Sequence, residues 1–274
     1  MKLINPNNKT QFCLSLAAYP GNTGAKLHNT AYKILNLNYI YLPIRCTSNF
    51  KATNILKNLE FKGCSLSMPF KQSLTKKLDT LDKIAKKTGS INTILKKRGK
   101  LYGFNTDYYA LNRVFKEKEI DLKKMSVLLL GNGGVAKTSF ELLKSLKVKK
   151  IFLSSRNLKR YSKWKIFKNV EIIKWTKRNN LRTDILINAT PIGMLGNKIK
   201  SPLDISSIKK FKLIVDFTVN KKKNLLERSA KKFKIDFISG IKISFYQGIK
   251  QFKIYTGRNI NEKKLIKNMS KWRV

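Results

Sequence analysis

The chain has 274 residues, 42% of them hydrophobic and 10% aromatic, enough apolar material for a sizeable core in two domains and too much for an intrinsically disordered protein. Lys and Arg number 59 against 15 Asp and Glu, a net charge of +44. The cations are spread over nearly every predicted helix and loop, Lys149, Lys209 and Lys263 among them, and no nucleic-acid-binding motif lies beneath them. No specific nucleic-acid partner is therefore expected, and a degenerate basic protein that binds polyanions through bulk charge remains the alternative from another class.

Taken in chain order, the first apolar run covers residues 12–19 and is cut by Pro20 and Gly21. It is too short to span a membrane and reads as part of a strand at 11–18. A helix at 27–35, a strand at 39–44, a helix at 52–59 and a strand at 64–68 follow, ending at Pro69. Strands alternating with helices predict βαβ units and a largely parallel sheet. Residues 91–104 read as two short strands around Arg98 and Gly99, a hairpin signal, and a helix from Asp107 to about Lys116 closes this domain. Cys13, Cys46 and Cys64 lack any CxxC spacing, so they are expected to be core thiols in a reducing, cytoplasmic compartment, with no metal site.

The second domain turns on VLLLGNGGVAK, residues 127–137. Apolar residues 127–130 stop at Gly131, and an amphipathic helix starts at once. Gly131 lets the chain turn, Gly133 leaves room for a pyrophosphate against the backbone, Ala136 is small enough to pack the helix on the strand, and Gly134 is a further cofactor-binding candidate. The helix N-terminus then offers orphan N–H groups and a positive dipole end to phosphates. Further strands are predicted at 150–154, 170–173, 185–188, 213–217 and 235–238, with helices filling most intervals, which gives an open doubly wound sheet. Helices at 244–255 and 261–271 end the chain and are expected to return to the first domain. The domains predicted are 1–106, completed by 240–274, and 107–239.

An NAD-binding fold of this kind carries an acidic residue about 20 positions after the glycines. Here the second strand ends in Ser154, Ser155 and Arg156, with Lys159 and Arg160 close behind. Hydroxyls and guanidinium suit a 2′-phosphate, so NADP is expected over NAD; the alternative for Arg156 is one more surface cation.

Several stretches outside the glycine turn occur in a telling order: LHN at 27–29, SMPFK at 67–71, INT at 91–93, FNTDYYAL at 104–111, NATPIGM at 188–194 and QGIKQF at 247–252. Together they resemble the shikimate dehydrogenase family, nearest its shikimate dehydrogenase-like subgroup. The resemblance implies an α/β architecture: an N-terminal substrate domain, a doubly wound Rossmann NADP-binding domain, and C-terminal helices that return to the first. It also implies an NADP-dependent oxidoreductase of aromatic amino acid and chorismate biosynthesis, a cytoplasmic monomer or homodimer acting on a small carboxylate, 3-dehydroshikimate reduced reversibly to shikimate. Quinate- and aminoshikimate-type substrates are alternatives within the family, and a methylenetetrahydrofolate-dehydrogenase-like enzyme is a Rossmann alternative that fits the NTD and QGIKQF stretches less well.

By that resemblance Lys71 and Asp107 are the catalytic pair. The chemistry suits them: hydride addition to a ketone leaves negative charge on oxygen, and a lysine supplies both a cation and a proton while an aspartate orients it. Asn92 and Gln247 resemble the amides that meet the ring substituents. Thr190, Pro191 and Met194 resemble the loop beside the nicotinamide, and Gly240 completes the expected cofactor contacts. His28, the only histidine, is structural by the same comparison. Two family serines that hold the substrate carboxylate fall on Asn22 and Gly24, which leaves Asn22 and Thr23 as the substrate-binding candidates there. Val219 and Lys221 stand where the family has a tyrosine and a proline.

Overall fold

The computed structural model describes residues 6–158, 161, 164, 166–194, 200–219 and 224–269. It divides into two compact units, one of residues 1–110 with 244–274 and one of 111–243.

The first unit is built on a six-stranded sheet, and its order places the functional residues. Its strands are β1 (Gln11–Ala17), β2 (Tyr39–Arg45), β3 (Gly63–Leu66), β4 (Thr80–Leu81), β5 (Thr93–Lys97) and β6 (Lys100–Phe104), in the order β2-β1-β3-β5-β6-β4. β1 is parallel to β2 and β3, but β5 is antiparallel to both β3 and β6, so the expected largely parallel sheet is in fact mixed. The reason is the β5–β6 hairpin: Arg98 at φ 51° and Gly99 at φ 71° make the two-residue left-handed turn that joins antiparallel neighbours. Helices α1 (Thr23–Ile34) and α2 (Asn49–Asn58) fill the first two crossovers. Ser48 caps α2 by accepting the Lys51 N–H at 3.2 Å. Short elements that no periodicity announces lie between β3 and β5: α3 (Phe70–Ser73), a 3-10 turn (Thr75–Lys77), β4 and α4 (Lys83–Thr88). α4 is held by an Asp82 cap on the Ala85 N–H at 2.6 Å and ends at Gly89, φ 57°. Leu14, Leu16, Leu56, Phe61, Cys64, Phe70, Ile91 and Ile94 form the core of this unit.

The second unit is a parallel sheet of β7 (Ser126–Leu130), β8 (Lys150–Ser155), β9 (Val170–Lys174), β10 (Ile185–Asn188), β11 (Leu213–Asp216) and β12 (Asp236–Ile238), in the order β12-β11-β10-β7-β8-β9. That is the doubly wound order, with its switch point between β7 and β10. Val127, Leu128, Leu129 and Leu130 are fully buried, the mark of a strand covered on both faces. The crossovers depart from expectation. Among the described residues only α6 (Gly134–Ser145) and α8 (Leu225–Lys232) are full helices; the β9–β10 interval holds a 3-10 segment (Trp175–Asn180) and the β10–β11 interval the single turn α7 (Ile205–Ile208). A polar run rich in Arg, Lys and Asn at 176–183 offers no apolar stripe for a longer helix to bury. α5 (Thr106–Glu117) is followed by a 3-10 turn (Leu122–Lys124), and α9 (Gly240–Thr256) and α10 (Glu262–Asn268) close the chain. Among the described residues no helix is long and apolar enough to cross a membrane.

Candidate functional site

In the first unit, the mixed sheet brings three chain segments to one edge. β5 runs against β3 and β6, so its N-terminal end lies beside their C-terminal ends: the Leu66 N–H bonds the Asn92 carbonyl at 2.8 Å, and the Asn92 N–H bonds the Phe104 carbonyl at 3.1 Å. Lys71 sits on α3 just beyond β3, Asn92 just before β5, and Asp107 in the first turn of α5 just beyond β6. The Lys71 Nζ donates to Asp107 Oδ2 at 2.6 Å, with side chains 16% and 6% exposed, so the pair is largely screened from water yet reachable. The Ile91 N–H bonds the Lys71 carbonyl at 2.8 Å and ties α3 to the same edge.

Asn92 Nδ2 donates to Gln247 Oε1 of α9 at 2.8 Å. Asn92 Oδ1 accepts from the Thr106 N–H at 2.8 Å, the Thr106 hydroxyl at 3.1 Å and the Thr93 hydroxyl at 2.9 Å. Thr106 adjoins Asp107 in sequence, so one short stretch fixes both the amide and the carboxylate. Lys71, Asp107, Asn92 and Gln247 are thus assembled in one unit. Asn22 and Thr23 open α1 in the same unit, but among the described residues no hydrogen bond joins their side chains to that cluster. Gly24 faces the Tyr41 ring; a Cβ there would lie 3.1 Å from the tyrosine hydroxyl, so a serine at this position would crowd Tyr41. His28 is fully buried, stacked on Tyr41 at 4.5 Å, and desolvation pushes its pKa down to about 3, which keeps it neutral and out of acid-base chemistry.

In the second unit, the glycine turn follows β7. Gly131 has φ 106°, and a Cβ on it would lie 2.7 Å from the Ala189 carbonyl oxygen, so only glycine fits. That contact sets Gly131 and Thr190 side by side at the switch point between β7 and β10. Gly133 caps α6 with open space where its Cβ would be, Gly134 is the first helical residue, and Ala136 is fully buried. An uncovered main chain at the N-terminus of a twelve-residue helix fits a pyrophosphate. Arg156 is exposed just beyond β8. Ser155, by contrast, is buried and donates its only hydroxyl proton to the Asn157 carbonyl at 2.9 Å, while it accepts from Asn132 at 3.1 Å. Its hydroxyl braces the loop. Lys159, Arg160 and Lys221 lie outside the described residues.

Thr190 is locked to Asn188 Oδ1 through its hydroxyl at 2.7 Å and its N–H at 3.1 Å, and Met194 closes the same turn with an N–H to the Pro191 carbonyl at 3.1 Å. Behind it stands a residue that no motif singled out. Asp216 is buried and accepts from Asn188, Asn224 and both the N–H and hydroxyl of Thr218, at 2.6–3.0 Å. Gly240 opens α9 where a Cβ would lie 2.2 Å from the Thr218 carbonyl oxygen, so close main-chain packing is what requires glycine there. Val219 is half-buried beyond this turn.

Comparison with known proteins identifies relatives of this chain. The family model for the shikimate dehydrogenase substrate binding domain matches residues 23–94. A shikimate dehydrogenase (NADP(+)) of Clostridium perfringens (strain SM101 / Type A) is 30% identical over 241 residues, 86% of this chain and 89% of its own. A shikimate dehydrogenase-like protein of Haemophilus influenzae is 31% identical over 254 residues, 91% and 92% of the two chains. Among solved structures, shikimate dehydrogenase 1 from Peptoclostridium difficile matches with a TM-score of 0.84 at 25% identity, covering 96% of this chain and 98% of that one. A shikimate dehydrogenase solved in complex with NADP+ matches with a TM-score of 0.82 at 27% identity, covering 98% of each.

Proposed function

The chain belongs to the shikimate dehydrogenase family, and on that premise we propose that it reduces 3-dehydroshikimate to shikimate, reversibly and with NADP, using Lys71 and Asp107 as its catalytic pair. NADPH, when bound, supplies the hydride. The chain's own residues handle charge and protons. As the ketone becomes an alcohol its oxygen gains negative charge, and the Lys71 ammonium stabilises that charge and gives up a proton to it. Asp107, bonded at 2.6 Å, aims the amine and offsets its charge between turnovers. Asn92 and Gln247 hold the ring substituents. The single observation that carries this assignment is the Lys71–Asp107 pair beside the Asn92–Gln247 amides, assembled within the unit that holds the matched substrate-binding segment.

Gly131, Gly133, Gly134 and Ala136 would receive the pyrophosphate, Arg156 the 2′-phosphate, and Thr190 and Met194 the nicotinamide side. The carboxylate of the substrate falls to the start of α1, where Asn22 and Gly24 stand in place of the two family serines and Asn22 and Thr23 are the candidates to hold it. A role in chorismate and aromatic amino acid biosynthesis, a cytoplasmic location consistent with three buried free cysteines, and a monomeric or dimeric state belong to the same proposal. The deciding experiment is a steady-state screen of NADP reduction with shikimate, quinate and aminoshikimate. Turnover is expected with shikimate above the other two. A folded protein that binds NADP and turns over none of them would sink the substrate assignment and leave the fold.

A further inference from the structure

The two amides of the candidate site can each be oriented in two ways, and buried donors decide which. The Thr106 main-chain N–H can only donate, so the Asn92 atom 2.8 Å from it is the oxygen, and Asn92 must turn its NH2 toward Gln247. Gln247 then receives that bond on Oε1 and offers its own NH2. Behind Asn92 the direction is equally fixed. Thr93 has one hydroxyl proton and gives it to Asn92 Oδ1 at 2.9 Å, so it must accept from Gln251 Nε2 at 3.1 Å. The other Gln251 N–H goes to the Asn92 main-chain carbonyl at 3.2 Å. Gln251 Oε1 accepts from Ser65 Oγ at 3.2 Å, and Ser65 accepts from the Tyr41 hydroxyl at 2.8 Å and meets the Tyr255 hydroxyl at 3.0 Å. Because the Ser65 proton is already committed, Tyr255 is the donor of that last bond. His28 Nε2 approaches Gln251 Oε1 at 3.5 Å, which assigns its proton to Nε2 and leaves the buried Nδ1 without a partner among the described residues.

We infer that Gln251 is a positioning residue for the dehydrogenase reaction: together with the Thr106 N–H, and through Thr93 and the Asn92 main chain, it holds both site amides so that they present N–H donors, and the substrate groups they receive are therefore acceptor oxygens. Hydrogens run one way along the whole chain, from Tyr41 and Tyr255 through Ser65, Gln251, Thr93 and Asn92 to Gln247. Gln251 is its midpoint, 4% exposed, with both ends of its amide engaged inside the protein, so it acts on the substrate only through Asn92. The inference rests on the reading that Asn92 and Gln247 meet the substrate. The titratable groups along this chain do not change charge near neutrality: burial holds His28 down at about 3 and pushes Tyr41 and Tyr255 up.

The test measures KM for shikimate, kcat and NADP affinity for wild type, Gln251→Met, Gln251→Glu and Asn92→Ala, at pH 6 and 8.5. Gln251→Met is expected to raise KM about tenfold with kcat within about threefold and NADP affinity unchanged, the loss expected from misplacing one neutral hydrogen-bonding group. Gln251→Glu keeps the shape but turns the donor end into an acceptor, so its KM is expected to be high at pH 8.5. At pH 6 KM should return toward wild type, as the desolvated carboxyl takes up a proton and donates again. A KM penalty in Gln251→Glu that is equal at both pH values overturns the inference, and this variant decides the matter if Gln251→Met does not fold. Wild-type KM in both Gln251 variants beside a raised KM in Asn92→Ala also overturns it, while leaving the site reading intact. Wild-type KM in Asn92→Ala removes the site reading and the inference together.

Discussion

In the first unit, four side chains from α3, the start of β5, α5 and α9 make the candidate site, and each is held by a named partner: Lys71 by Asp107, Asn92 by Thr93, Thr106 and Gln247. In the second unit the corresponding features are main chain, a glycine turn at φ 106° and the uncovered N-terminus of α6, with side chains such as Ser155, Asn188 and Asp216 spent on bracing loops. On the proposed roles, the contrast follows from the two chemistries. Transferring a proton and stabilising an oxyanion need titratable groups at fixed positions, whereas holding a diphosphate needs N–H groups and an absence of bulk. The mixed sheet serves the first because its antiparallel β5 brings a third segment to the edge where two parallel strands end.

Substitutions should therefore separate the two units cleanly. The largest effect is expected from Lys71→Ala, which should lower kcat by about 10²-fold or more while NADP affinity stays near wild type. Asp107→Ala should impair the same step, and if the two act as one unit the double variant should lose much less than the product of the single losses. Stopped-flow turnover beside a cofactor titration checks this; a Lys71→Ala enzyme with near-normal kcat would remove the catalytic assignment.

Gly131→Ala tests the opposite half. Its new Cβ would meet the Ala189 main chain, which cannot step aside as a side chain can, and the left-handed backbone adds strain. A loss of about 2–3 kcal/mol of stability is expected, with weaker NADP binding, from calorimetry and thermal melts. An unchanged melting temperature and cofactor affinity would show that the turn relaxes freely.

Acid should act through the first unit. His28 is held at about 3 by burial, against about 6.5 in the unfolded chain, so the unfolded state binds more protons between those values. Its contribution is intact above pH 6.5 and erodes as pH falls toward 3, by about 2 kcal/mol at pH 5. Denaturant titrations should show that limb in the wild type and a flatter one in His28→Phe. Equal acid sensitivity of the two proteins would assign the limb to other groups.

The smallest effect is expected at the exposed Arg156. Arg156→Ala should narrow the preference for NADP over NAD by roughly tenfold, about 1.4 kcal/mol, with kcat for shikimate little changed. Equal affinity of the wild type for both cofactors would count against the 2′-phosphate role.

Local pattern alone announced the glycine turn, the alternation of strands and helices, and the two-residue turn at Arg98 and Gly99, because hydrophobic periodicity and left-handed backbone requirements are local properties. The order of the short motifs supplied Lys71, Asp107, Asn92 and Gln247. The small elements around α3, β4 and α4 carried no signal, since a four-residue helix has no period to detect, and the weak crossovers of the second sheet were overestimated for the same reason. Only the tertiary structure decided that β5 also runs against β3, since a five-residue strand pairs in either direction and the hairpin fixes only its direction against β6. The same is true of Ser155, whose hydroxyl turns inward to Asn157, and of Asp216 and Gln251, which the sequence leaves as one more acid and one more amide. A hydrogen-bond direction is a property of all the partners at once, and residues 65, 92, 93, 106, 247 and 251 become partners only when the chain is folded.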